Sequence, residues 1–142
     1  MTIAAILSRK GADVCTITPD THVARAIALL AERRIGAVPV VEDGAVAGVF
    51  SERDVIQGLA GGDTTLLARP VREVMTAPAV TVAPGDAVLA ALSLMTRRRI
   101  RHLPVVENGA LKGIVSIGDL VAYRIDRIEA EAMAMRDYIQ QS

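Results

Sequence analysis

Apolar and polar positions along the chain switch between two periods, and the same switch occurs twice. Val23, Ala26, Ile27 and Leu30 fall at the i, i+3, i+4, i+7 spacing of one helical face. Val88, Ala91, Leu92 and Met95 repeat it. After the first stripe come two β-rich runs, Ala37–Val41 and Val46–Phe50, joined by Glu42, Asp43 and Gly44. Asp-Gly between two apolar runs predicts a hairpin turn, and Asn108-Gly109 stands at the same place in the second copy. Ahead of each stripe a β-prone pair, Thr16-Ile17 or Thr81-Val82, leads into a proline turn. Pro-Asp-Thr and Pro-Gly-Asp there offer N-cap chemistry for the helix. A further helix is predicted from Ser51 and from Ser116. Each unit therefore reads β-α-β-β-α.

From Val14 and from Ala79 the two units align without a gap. Pro19 matches Pro84, Pro39 matches Pro104, Gly48 matches Gly113 and Asp54 matches Asp119, an offset of 65 positions (84 − 19). An internal repeat decides the architecture before any single element does. Neither half has enough elements to cover its own sheet. The expected fold is α/β (α+β), with the two repeats packed about a pseudo-twofold axis. The chain divides into residues 1–62 (a lead-in helix and the first motif), 63–125 (a linker and the second motif) and 126–142 (a C-terminal helical extension). Ile3–Ser8 and Val71–Met75 are read as matching lead-in segments, the latter after a break at Gly61, Gly62 and Asp63.

Composition narrows the class. The sequence is 51% hydrophobic and 2% aromatic, so it builds a core, but from Val, Ile, Leu, Ala and Met. That excludes a disordered chain and argues against single-strand nucleic-acid binding, which leans on aromatic platforms. Sixteen basic and sixteen acidic residues cancel, leaving no global field toward nucleic acid or membrane. Cys15, the one cysteine, fits a reducing compartment, and no stretch reads as a signal peptide or membrane span. A cytoplasmic location is expected.

Two Gly-x-x-Ser-x-x-Asp motifs carry candidate chemistry: Gly48, Ser51 and Asp54, then Gly113, Ser116 and Asp119. Two readings stay open. Ser-x-x-Asp before an apolar helix resembles a capping box. The same helix N-terminus presents unpaired N–H groups to a phosphate, with a carboxylate near enough for ribose hydroxyls.

The cores PVVEDGAVAGVFSERD and PVVENGALKGIVSIGD, with their TITPD and TVAPGD starts, resemble the cystathionine-β-synthase (CBS) motif over residues 1 to 125. The resemblance implies a tandem regulatory pair that binds an adenine nucleotide such as AMP, ATP or NAD, with sites shared between repeats. It implies no enzyme activity and no catalytic cofactor. Site A would take Ser51, Arg53 and Asp54 from copy one, with Ala79, Val80, Ile100, Arg101 and His102 from copy two. Site B would take Ser116 and Asp119, with Val14, Cys15, Ile35, Gly36 and Ala37. Arg53, Arg101 and His102 suit phosphate, whereas site B has Gly118 for Arg53, Gly36-Ala37 for Arg101-His102, and only a distant Lys10 or linker arginines. Site A is therefore expected to bind more tightly and to prefer more phosphate charge. The alternative is a ligand-free structural or dimerisation module whose motifs are only helix caps.

Other features are weaker. Arg97 and Arg98 read as a solvated helix end, and Cys15 as a packing residue. His22 and His102 lie far apart without Cys or His companions, so no metal site is expected. Val121, Ile125, Ile128, Ala132, Met135 and Ile139 form a heptad-like stripe. It packs either on its own domain or against a second copy in a homodimer.

Overall fold

The computed structural model describes residues 1–11 and 13–141. Its elements are α1 (Ile3–Lys10), α2 (Val23–Arg33), β1 (Ala37–Glu42), β2 (Ala45–Ser51) and α3 (Glu52–Ala60), then α4 (Val88–Arg98), β3 (His102–Glu107), β4 (Ala110–Ser116) and α5 (Ile117–Gln141). Two single 3-10 turns, Leu66–Ala68 and Val71–Glu73, lie between the repeats. β1 pairs antiparallel with β2, and β3 with β4, in the same register. Ile17 and Val82 add single parallel bridges to Val40 and Val105. The expected β-α-β-β-α unit is present twice.

The hairpin turns follow from their residues. Asp43 and Gly44 have φ of 51° and 79°, and Asn108 and Gly109 have 52° and 78°. Two consecutive positive φ values match the twist of the flanking strands, and these residue types tolerate them best. The expected caps of α2 and α4 fall later than the sequence indicates, at His22 and Ala87, neither with a side-chain cap bond. Thr21 and Asp86 instead turn back onto the Thr18 and Ala83 amides at 3.3 and 2.9 Å. Their oxygens stabilise the preceding turn rather than the helix start.

Packing crosses the order of the chain. Ile3 and Ile6 of α1 are buried with Val82, Val88, Met95, Leu103, Val115 and Leu120, which form the second repeat's core. Leu66 and Val71 are buried with Val23, Leu30, Val38, Val40 and Phe50 of the first. Backbone bonds fix the exchange: the Ile3 amide donates to Asp86 O at 2.9 Å, and the Val71 amide to Thr21 O at 2.8 Å. Each lead-in segment thus completes the other repeat. α5 runs unbroken past residue 125, and every residue from 125 to 141 is exposed.

Candidate functional site

β2 delivers Ser51, and β4 delivers Ser116, to the N-cap of the following helix. The capping reading holds in both repeats. Asp54 Oδ2 accepts the Ser51 N–H at 2.8 Å, and Asp119 Oδ2 accepts the Ser116 N–H at 2.8 Å. Ser116 Oγ accepts the Asp119 N–H at 3.1 Å. Each helix start is therefore fixed without any ligand.

A cleft of about 610 Å³ opens between the repeats at the N-terminus of α3. Ser51 and Arg53 line it from the first repeat, and Ala79, Val80, Ile100, Arg101 and His102 from the second. Asp54 does not line it. Its side chain is buried, only 5% exposed, and Oδ1 accepts the Thr76 hydroxyl at 3.0 Å. Thr76 is held there because its N–H and C=O both pair with Val49, at 2.9 and 3.0 Å. Burial pushes the Asp54 carboxyl above its ordinary range, against the pull of Ser51, Thr76 and Arg53. The threonine hydroxyl thus covers this carboxylate.

Gly36 and Ala37, expected in site B, line this first cleft. The register explains it. Ala37 pairs with Ser51, and Gly36 O accepts the Glu52 N–H at 3.0 Å, so the segment lies beside its own helix start. His102 pairs with Ser116, and Arg101 O accepts the Ile117 N–H at 2.8 Å, in the same manner. The two pre-proline segments meet near the pseudo-axis, where a Cβ on Gly36 would lie 3.0 Å from His102 Cε1.

The other residues expected in site B have these surroundings. Ile35 lines an apolar groove with Ile27 and Leu30 of α2 and Val55 and Ile56 of α3. Val14 and Cys15 are half-buried on the segment before Ile17. Lys10 is not distant: its ammonium donates to Asp119 Oδ2 at 2.6 Å and to Ile114 O at 2.9 Å. Burial pushes the Asp119 carboxyl up, but Lys10 and the Ser116 amide outweigh it and hold the group below its ordinary value.

The lining of the first cleft is strongly basic. Arg53, Arg98, Arg99, Arg101 and His102 face it, opposed by Glu52 alone among its acidic residues. Burial lowers the His102 pKa, partly offset by Glu52, so the ring is neutral near pH 7. Arg98, Arg99, Thr76, Glu52 and Ile56 escape the sequence reading. Arg98 and Arg99 had a signal in the basic run itself. Arg99 takes the left-handed conformation at φ 55°, which ends α4 and turns the chain back into the cleft. Among the described residues no cluster of His, Cys, Asp or Glu is placed to hold a metal, and no helix is long and apolar enough to cross a membrane.

Residues 3–61 and 71–126 match the CBS domain. The chain belongs to the CBS-domain family. The CBS-domain protein ATU1752 from Agrobacterium tumefaciens is 40% identical, with a TM-score of 0.84 over 87% of this chain and 99% of that one. YhcV, a CBS domain-containing protein of Bacillus subtilis, is 34% identical over 82% of this chain and 83% of its own. CBSX2, solved in complex with AMP, is 24% identical with a TM-score of 0.74 over 88% of this chain and 98% of that one, a likeness of fold. Two CBS repeats thus account for both helix-capping motifs and for the cleft between them.

Proposed function

We propose that this CBS pair is a cytoplasmic regulatory sensor that binds an adenine nucleotide in the cleft at the N-terminus of α3. The observation that carries the reading is the mixed lining of that cleft. Ala79, Val80, Ile56 and Ile100 offer apolar surface for a base, and four arginines with His102 offer donors and charge for phosphate. Apolar cavities with a few convergent polar groups are ordinary ligand sites. The helix N-terminus and the guanidinium groups both favour phosphate. So many cations in one cleft favour a di- or triphosphate over AMP. CBSX2 holds AMP in a pair of the same fold. Bound nucleotide acts on a partner protein only through different affinity for two geometries of the module.

The test is a melting-temperature series with adenosine, AMP, ADP, ATP, NAD and S-adenosylmethionine. The shift is expected to grow with ligand concentration and with phosphate charge, reaching about 2.7 kcal/mol at a hundred times Kd. No shift at millimolar ligand leaves the module a structural one, with its motifs acting as caps only.

The module is further proposed to form a homodimer through α5. Val121, Ile125, Ile128 and Met135 are between 42% and 61% exposed, which leaves much of the apolar stripe open to a partner. A helix this long with an apolar stripe gains its stability from packing against a partner. Light scattering of a chain ending at Tyr123 is expected to report a monomer; an unchanged dimer removes α5 from the interface.

A further inference from the structure

Two sides of α5 have different company. Leu120 is buried in the second repeat's core, and Tyr123 packs against that core. Asp119 and Asp126, on the same side, take the ion pairs from Lys10 and Arg9 of α1. With about 3.6 residues per turn, Val121, Ile125, Ile128, Ala132 and Met135 fall on the opposite side of the helix. Ile125 and Ala132 are then a positions of a heptad, and Val121, Ile128 and Met135 are d positions. The domain holds b, c and f positions, so its own packing leaves the a/d seam to another helix. The positions that flank the seam carry charge: Arg124 and Glu131 at g, Glu129 and Arg136 at e. Among the described residues none of these four has an ion-pair partner in its own chain. Arg124 is half-buried beside the Met1 sulfur, a weak acceptor, and the other three are exposed.

We infer that α5 pairs with the α5 of a second copy as a parallel, in-register coiled coil, and that the e and g charges select this orientation. The inference rests on the proposed homodimer and adds its geometry. In a parallel pair each g residue meets the next e residue of the other helix. Arg124 then faces Glu129 of the second copy and Glu131 faces Arg136, opposite charges both times and each twice by symmetry. Antiparallel helices with the same overlap set Ile125 against Met135 and Ile128 against Ala132. That arrangement brings Glu129 onto Glu129 and Glu131 onto Glu131, like charge on like. Alanine at an a position packs weakly, so the flanking charges weigh more in the choice. Each module lies on the outer side of its own helix, away from the seam. The two modules therefore share one end of the coil, and the C-terminal ends of α5 run together.

The experiment places one new cysteine at the seam of the full chain, Met135→Cys or Ile125→Cys, in a Cys15→Ser background and a glutathione redox buffer. In the parallel pair residue 135 meets its own copy, so Met135→Cys is expected to close into a covalent dimer. In the antiparallel pair the two copies of residue 135 stand ten residues apart (135 − 125), about 15 Å, beyond the reach of a disulfide. Separately, Glu131→Arg is expected to weaken the dimer roughly tenfold in ultracentrifugation, because two exposed pairs turn repulsive. Adding Arg136→Glu to it should restore the affinity. Crosslinking only in a mixture of the Met135→Cys and Ile125→Cys proteins, or an affinity untouched by Glu131→Arg, overturns the inference and leaves the homodimer standing. A monomeric wild type, or a dimer unchanged when the chain ends at Tyr123, removes both.

Discussion

Phe50→Ala is expected to destabilise the protein by about 3–5 kcal/mol, the usual range for emptying a fully buried phenylalanine site. Phe50 is the one phenylalanine in the sequence and has no exposed surface. It sits opposite Val38 on β2 and packs among Ile17, Val40, Leu66 and Val71. Its neighbours are short and mostly β-branched, with few rotamers to fill the space left behind. Urea denaturation measures the effect, and a chain of this size should lose on the order of 10 °C in Tm. Phe50→Leu keeps most of the volume and should cost far less, roughly 1.5 kcal/mol at most. A loss below about 1 kcal/mol for the alanine variant is incompatible with a residue at the centre of this core. The next residue is Ser51, so the same strand that anchors the core also positions the cap of α3.

Replacing Arg101 and His102 together by alanine is expected to weaken ATP binding by about a hundredfold and adenosine binding by only a few-fold. Hydrogen bonds to charged groups are worth about 1.5–3 kcal/mol each, and about 2.7 kcal/mol is a factor of a hundred. Both residues line the first cleft, and both are contributed by the second repeat. Calorimetry with the two ligands reads the difference directly. Equal losses for ATP and adenosine would mean that the pair shapes the cleft without meeting phosphate. His102 is neutral when the cleft is empty, because burial disfavours its charged form. A phosphate beside it favours protonation, so ATP binding should take up protons near neutral pH in wild type and much less in the variant.

What was legible in the sequence follows from how local the cause is. The hairpins were readable because Asp43-Gly44 and Asn108-Gly109 need only their own backbone to make the turn. The stripes of α2 and α4 were readable because period alone orients them: Val23, Ala26, Val88 and Ala91 are all buried. The helix starts at Ser51 and Ser116 were readable for the same reason. The exchange of α1 and the linker was not, since nothing in the periodicity of Ile3 and Ile6 states which core they enter. Nor was the cover over Asp54, which depends on a backbone bridge from Thr76 to a strand 27 residues earlier (76 − 49). That Gly36 and Ala37 line the first cleft was not legible either, because a segment near a pseudo-axis faces both sides and only strand register says which wall it forms. The basic residues were legible as a run, but the αL turn at Arg99 that aims it was not.

On the ribosome, α1 is made first and buried last. Its partners Val115 and Leu120 follow Ile3 by 112 and 117 residues (115 − 3, 120 − 3). At about 5–20 residues per second, the nascent chain carries that apolar turn without its full core for roughly 6–23 seconds. The first repeat closes much sooner, as Leu66 and Val71 emerge soon after Phe50. Synthesis thus finishes the first half while the apolar turn of α1 still waits for its core. A bulky fusion ahead of Met1 that holds α1 back would delay the second half and spare the first.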